Sequence, residues 1–384
     1  MGKEMNRKIM IAIFLFIMPV APSHAKDSTE VSKDGVMKRY WQTLIHGNID
    51  RTHEKPFDVS FALAPSYSRE GGIGFGGSAT GLYRMDMRDS TMAPSNVTIG
   101  ANASLKGFFS LIGNGTNYFT DGKTRLIYSA KFTRKVLDFW GISHGSCLVN
   151  PTSEYVRTQF RIDADYNYRL GKCFYFGAVM SFNHTNASRI LDLTYLEGQK
   201  TGYYLTGIGA SFQIDTRDNP TNPQKGLYLL LRETVYPKFL GTADLTNWAT
   251  SFILSGYQPI WKGALITGDI YAQFNSHDAP WILREELGGA MGRMRGYYAG
   301  RFIDTNQVCA QIELRQHFAS RFGCVAWVGA GTVFPSLKGF AWKNILPNYG
   351  VGLRVEFKHN MNLRVDFGFG KETAGLCFGF GEAF

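Results

Sequence analysis

Beyond its first 25 residues the 384-residue chain has no apolar run near the roughly 20 residues that a membrane-spanning helix needs. Cysteine is scarce and unpatterned. Cys147, Cys173, Cys309, Cys324 and Cys377 are odd in number and form no Cys-x-x-Cys pair, which excludes a zinc finger or ribbon. A disulfide between Cys147 and Cys173 is compatible with an oxidising compartment, but spacing does not assign it. The other reading of these cysteines is as small, inert core residues. No metal ligand set and no cofactor pattern is present. The glycines at 71–77 lack the strand-to-helix context of a phosphate cradle and read as hairpin chemistry.

The chain begins with a leader. Lys3, Arg7 and Lys8 precede an apolar run from Ile9 to Val20, and Ser23-His24-Ala25 places small residues at the cleavage-determining positions. Residues 1–25 are therefore predicted to be a secretory signal peptide. No Cys follows Ala25, so a lipoprotein anchor is not expected. Removing Lys3, Glu4, Arg7 and Lys8 lowers the net charge from +10 to +8. Export makes nucleic acid an unsuitable partner for that charge; anionic lipid headgroups or a polar lumen suit it better.

Glycine is abundant, at 43 residues, and aromatics make up 14%. The clearest strand pattern runs from Tyr155 to Tyr168. Val156, Phe160, Ile162, Ala164, Tyr166 and Tyr168 alternate with Arg157, Gln159, Arg161, Asp163, Asp165 and Asn167. That is period two over a whole strand. In a secreted sandwich or solenoid the apolar face would meet a second sheet; in a barrel it would meet lipid. Alternation alone leaves both open.

The same reading yields about sixteen candidate strands, from Phe57–Tyr67 to Leu376–Phe384, including Leu126–Arg134 and Phe174–Phe182. Tight turns at Leu170-Gly171-Lys172, Trp261-Lys262-Gly263 and Lys358-His359-Asn360 alternate with long connections at 136–153, 183–200, 237–246, 276–306 and 335–347. Short on one side and long on the other fits a transmembrane antiparallel β-barrel over 57–384. Residues 26–56 form a short N-terminal segment, periplasmic in that arrangement. Val36, Tyr40, Leu44 and Met37, Trp41, Ile45 fall on adjoining helical rows there, ended by Gly47. That helix is either loosely attached or a plug at the mouth.

The longest connection contains Leu287-Gly288-Gly289-Ala290-Met291-Gly292-Arg293-Met294-Arg295-Gly296-Tyr297. Leu-Gly-Gly followed by Met-Arg-Gly-Tyr resembles the sixth extracellular loop of the BamA/TamA superfamily of outer-membrane barrels, the bacterial surface antigen family. The resemblance implies that the loop folds back into the barrel and seats Gly288, Gly289, Arg295, Gly296 and Tyr297 against the inner wall. Other stretches look like the same family. Asp215-Thr216-Arg217-Asp218-Asn219-Pro220 resembles its periplasmic turn motif. Ala64-Pro65-Ser66-Tyr67-Ser68 and Gly74-Phe75-Gly76-Gly77 look like its opening hairpin. Leu363-Arg364-Val365-Asp366-Phe367-Gly368 resembles its closing strands. Phe378, Phe380 and Phe384 resemble the terminal assembly signal of outer-membrane barrels in general.

Two departures accompany the resemblance. The 31 residues from Lys26 to Pro56 are too few for the family's periplasmic repeat domains, so a barrel-only member is expected. Gly329 stands where the family often has the aspartate that receives the loop arginine. Arg295 then needs another carboxylate, and Glu313, Glu356 and Asp366 are the candidates by inward parity. The resemblance implies a protein of a Gram-negative outer membrane. It would act in protein insertion into, or transport across, that membrane. Its partners would be outer-membrane lipid and either unfolded outer-membrane proteins or a separate periplasmic protein. A passive pore or structural barrel is the alternative. Enzymatic function is not expected: His144, Ser146 and Asn150 sit in a long connection with no rigid strand to fix them.

Overall fold

Alternating small or polar residues with large apolar ones commits most of the chain to strand. The structure, a computed structural model, describes residues 56–384 apart from 69, 87–93, 221, 290–291, 320 and 359–360. The expected leader and the helix at 36–45 lie outside these residues. The first strands are β1 (Phe57–Ser68), β2 (Gly72–Tyr83), β3 (Ser95–Ser104), β4 (Phe109–Tyr118) and β5 (Thr124–Phe139). A six-residue helix, α1 (His144–Val149), leads to β6 (Ser153–Arg169), β7 (Phe174–Ser188) and β8 (Gly202–Asp215). Then come β9 (Gly226–Tyr236), β10 (Asn247–Trp261) and β11 (Ala264–Asn275). Two three-residue strands, β12 (Glu285–Leu287) and β13 (Phe302–Asp304), pair with each other inside the long loop. The wall resumes with β14 (Asn306–Ala319), β15 (Phe322–Phe334), β16 (Leu346–Lys358), β17 (Met361–Gly370) and β18 (Thr373–Phe380).

Sixteen of these strands form one antiparallel sheet in chain order, β11 passing to β14 across the loop. The sheet curls until β1 and β18 lie side by side, but among the described residues no ladder joins them. The result is a barrel whose seam falls between its first and last strands.

Strand β7 shows why the wall faces two ways. Phe174, Phe176, Ala178 and Met180 point outward and exposed, while Val179, Ser181, Asn183 and Thr185 are buried inward. From Phe174 to Phe182 the outward face is apolar over about 27 Å of strand. Beyond it the same face carries His184, Asn186 and Ser188. The ladder therefore continues past the apolar belt, and β7 ends at Ser188 rather than at the expected Phe182. Strand β5 likewise runs on to Phe139, past the expected Arg134. The extension is held by a small apolar cluster at this end of the barrel. Leu137, Phe139, Ile142, Tyr155, Leu196 and Trp281 are all buried in it. The Phe139 and Tyr155 rings lie 4.6 Å apart, and Trp281 Nε1 donates to the Lys200 carbonyl at 2.9 Å. Burying such side chains contributes about 1.5–3 kcal/mol each.

The expected alternation of connections holds from β5 to β16 except at 216–225, which is as long as 237–246 on the other side. At the end of the barrel that carries residues 276–305, the links at 69–71, 105–108 and 371–372 are as tight as the turns opposite. The Cys147–Cys173 disulfide does not form, and all five thiols are free. Cys147 lies in α1 beyond one end of β6 and Cys173 in the turn beyond the other, so the whole strand separates them.

Candidate functional site

The long loop enters the lumen as a short ribbon. Glu286 pairs with Ile303 and Leu287 with Phe302 across β12 and β13. Leu287 is fully buried, so the ribbon is anchored before the motif begins. Arg157 on β6 holds the ribbon from the side through a bidentate pair with Glu286, Nη2 to Oε2 at 3.0 Å. On the opposite wall Arg293 grips Asp269 of β11, Nη2 to Oδ1 at 2.9 Å.

The tip depends on glycine at two facing positions. Gly296 has φ +102°, a conformation that a side chain strains to adopt. A Cβ on Gly368 of β17 would lie 2.4 Å from the Arg295 carbonyl oxygen. Without side chains at both positions, the loop backbone rests directly on the wall. Tyr297 then inserts its hydroxyl between strands, donating to the Pro347 carbonyl at 2.7 Å and accepting from the Lys371 amide at 2.7 Å. Thr373 of β18 donates to the Gly296 carbonyl at 2.9 Å.

Arg295 is completely buried and carries the centre of the site. Its guanidinium lies 3.7 Å over the Trp327 ring of β15. Nη1 donates to Asp366 Oδ2 at 2.8 Å, and Nη2 donates to Glu313 of β14. Asn348 of β16 donates to the Arg295 carbonyl and accepts from Trp327 Nε1 at 2.8 Å. Both carboxylates are shared. Arg315 reaches Glu313 at 3.0 Å, Arg354 reaches Asp366 at 2.6 Å, and Arg364 lies 3.9 Å from Asp366. Charge-assisted pairs of this kind are the strong ones.

The third candidate carboxylate, Glu356, does not join them. It lies four residues further along β16 than Gly352, which pairs with Asp366. That offset is about 13 Å along the strand. There, the Glu356 carbonyl accepts from Arg321 Nε at 2.6 Å. The carboxylate that completes the network is one that parity did not single out, Glu382. Its Oε2 lies 3.0 Å from Arg354 Nε and 3.7 Å from Arg315 Nε, and its Oε1 accepts from Asn362 at 2.6 Å. Burial alone would raise its pKa, yet Arg315 and Arg354 hold the carboxyl down to about 2. The last strand ends at Phe380, not at Phe384, because Gly381 turns the chain at φ +76°. Phe384 then lies 5.1 Å from the Arg315 guanidinium, inside rather than on the outer face. Phe378 stays in β18, half-buried.

On the rim where β8 and β18 both end, the turn motif is closed by its own residues and by β5. Arg217 makes a bidentate pair with Asp215 at 2.8 and 2.9 Å, and Arg125 reaches Asp215 at 3.0 Å. Asp218 Oδ1 accepts from the amides of Asn219, Gln224 and Lys225, and the Pro220 carbonyl accepts from Arg217 at 3.4 Å. The bonds close the turn between β8 and β9.

His144, Ser146 and Asn150 do not converge. Ser146 Oγ caps α1 together with Ser143, and Asn150 Nδ2 donates to the Trp140 carbonyl at 3.0 Å. The His144 ring packs on Phe302, and burial lowers its pKa despite nearby Asp304. Among the described residues no group of three or more His, Cys, Asp or Glu is placed to hold a metal.

A barrel with an apolar belt, a charged lumen and a loop seated inside it defines an outer-membrane-type transmembrane barrel. The model of the Omp85 superfamily domain matches residues 93–384, well over half of the chain, and the chain belongs to that superfamily. Among solved structures, it is similar to BamA from Haemophilus ducreyi lacking POTRA domains 1–3, at 11% identity and TM-score 0.50. That likeness covers 85% of this chain and 70% of the other. CdiB from Acinetobacter baumannii is 11% identical with TM-score 0.55, covering 85% and 60% of the two chains. CdiB from Escherichia coli is 10% identical with TM-score 0.53, covering 84% and 62%. The chain thus spans about three fifths of the length of either CdiB chain. At these identities the likeness is one of fold. Among curated proteins none matches in sequence.

Proposed function

We propose that this protein inserts proteins into the outer membrane of a Gram-negative bacterium or transports them across it, by opening between β1 and β18. The observation that carries the reading is the seam. The two strands are neighbours without a ladder among the described residues, and the loop tip is bonded to one of them, through Thr373. An unpaired strand edge is a template for pairing with another chain. Gly379 in β18 weakens that edge further. Membership of the Omp85 superfamily and the fold shared with BamA and CdiB support the same reading. The partners are then lipid on the outer face and an unfolded client or a separate periplasmic protein at the seam.

The test is a liposome assay. Purified protein is reconstituted, an unfolded outer-membrane barrel is added and its folding is followed. Acceleration is expected, and a cysteine pair locking β1 to β18 should abolish it under oxidising conditions. Acceleration that survives the lock sinks the seam mechanism. Solute leakage without acceleration favours a passive pore.

A further inference from the structure

Behind the seated loop lies a cavity of about 560 Å³, and one of its walls carries four basic side chains, two of them without an ion pair. The register of β5 against β6 places Lys131 opposite Arg161 and Lys135 opposite Arg157, with Thr133 opposite Gln159 between them. All six side chains line the cavity. Like charges directly opposite on one face of a sheet repel. Here two such pairs follow each other on the same face. The arginines have carboxylates: Arg161 pairs with Asp163 at 2.6 Å, and Arg157 with Glu286. The lysines do not. Among the described residues neither Lys131 nor Lys135 has a carboxylate within ion-pair distance; Lys135 lies 5.5 Å from the face of Phe108, with Glu70 the acid acting on it from beyond that distance. The acids that share the cavity are engaged elsewhere. Glu70 accepts from the Ala299 amide at 2.8 Å and Glu285 from the Tyr271 hydroxyl at 2.9 Å. From β2 to β4 the cavity wall adds Gly76, Asn102 and Ser110, which are small and uncharged.

We infer that this face of the lumen binds a phosphate-bearing anion, held by Lys131 and Lys135 with the Thr133 hydroxyl as a neutral donor between them, while the Gln159 amide stays engaged with Asn183 and Thr185. A lysine is a mobile point charge with three donors, suited to phosphate oxygens. Four residues along a strand separate the two ammonium stems by about 13 Å, so a ligand with more than one anionic group engages both. The site stands whether or not the barrel transports protein. A lipid headgroup and a soluble polyphosphate offer the same chemistry.

The full chain in nonionic detergent at low ionic strength, where screening is weak, is titrated with inorganic tripolyphosphate. Saturable binding is expected, falling at least about tenfold in Lys131→Gln/Lys135→Gln. In parallel, the protein is passed through micelles doped with phosphatidylglycerol, and retained lipid is counted by mass spectrometry. Lipid held by the wild type and lost by the variant assigns the phosphate to a headgroup. Tripolyphosphate binding alone assigns it to a soluble anion. Neither probe bound, or both bound equally by the variant, overturns the site. Without anion the variant should melt at the same temperature or higher, since it relieves two repulsions. A lower melting temperature also counts against the site. If the double variant does not fold, Lys131→Gln alone is measured in the same way.

Discussion

Asp366→Asn should destabilise the barrel more than Arg295→Ala, although both break the same ion pair. Four buried guanidiniums, Arg295, Arg315, Arg354 and Arg364, share three carboxylates, Glu313, Asp366 and Glu382. Arg295→Ala leaves three against three. Glu313 keeps Arg315 at 3.0 Å and Asp366 keeps Arg354 at 2.6 Å. It also removes a cation that had to be desolvated. The loss is then near that of one charged hydrogen bond, about 1.5–3 kcal/mol. Asp366→Asn leaves four cations against two carboxylates in a site where Arg295 is 0% exposed. Stranding a buried charge costs about 3–5 kcal/mol. Two readouts separate the variants: urea unfolding of the detergent-folded barrel, and trypsin cleavage after Arg293 and Arg301. Arg295→Ala should release the loop to trypsin with a modest loss of barrel stability. Asp366→Asn should lower both. Equal or reversed unfolding free energies would refute the charge-count reasoning.

Gly368→Ala should unseat the loop without touching a charge, because its Cβ meets the Arg295 carbonyl at 2.4 Å. Overpacking of this kind costs about 1–3 kcal/mol, and faster trypsin cleavage at Arg293 reports it. The folded pKa of Glu382 lies below its ordinary value of 4.5, at about 2. Its contribution is therefore present above pH 4.5 and lost as pH falls toward 2. Thermal melts across that window should fall in the wild type and flatten in Glu382→Gln. Burial pushes the Cys147 thiol up to about 11, so maleimide at neutral pH should label half-exposed Cys173 first. Mass spectrometry of the labelled peptides decides; equal labelling rates would contradict the burial of Cys147.

Sixteen strands are legible in the sequence because inward and outward residues differ so sharply in chemistry. Their loop-end limits are not. The outward face of β7 turns from Met180 and Phe182 to His184 and Asn186 while the ladder continues, so polarity marks the edge of the belt and not the end of the strand. Helix α1 escapes notice because it is one capped turn built by Ser143 and Ser146, with no apolar period. In the site, Glu313 and Asp366 are readable by parity, but parity says nothing about height along the barrel, and so Glu356 enters the same shortlist. Only the register sets it about 13 Å away. Glu382 has no strand period at all; it reaches the network because Gly381 turns the chain inward.

The lumen is therefore divided into two electrostatic halves, and the division bears on how a seam could move. On β14 to β18 every carboxylate of the network serves at least two arginines, and the loop tip is bonded into that side through Asp366, Asn348 and Thr373. Toward the other edge of the seam the described contact is weaker: the Ala299 amide donates to Glu70, in the turn between β1 and β2. Strand length does not separate the two edges: β1 to β4 have 10 to 12 residues and β17 and β18 have 10 and 8. With that one described loop contact on its side, against the bonds from Asp366, Asn348 and Thr373 on the other, we expect the β1 edge to yield first while β18 stays braced by the loop. A client strand entering such an opening would meet small, uncharged side chains on β2 to β4 and then the basic pairs of β5 and β6. An anion seated on Lys131 and Lys135 would quench that repulsive face, so the proposed ligand would lie next to the edge through which the proposed opening admits a client.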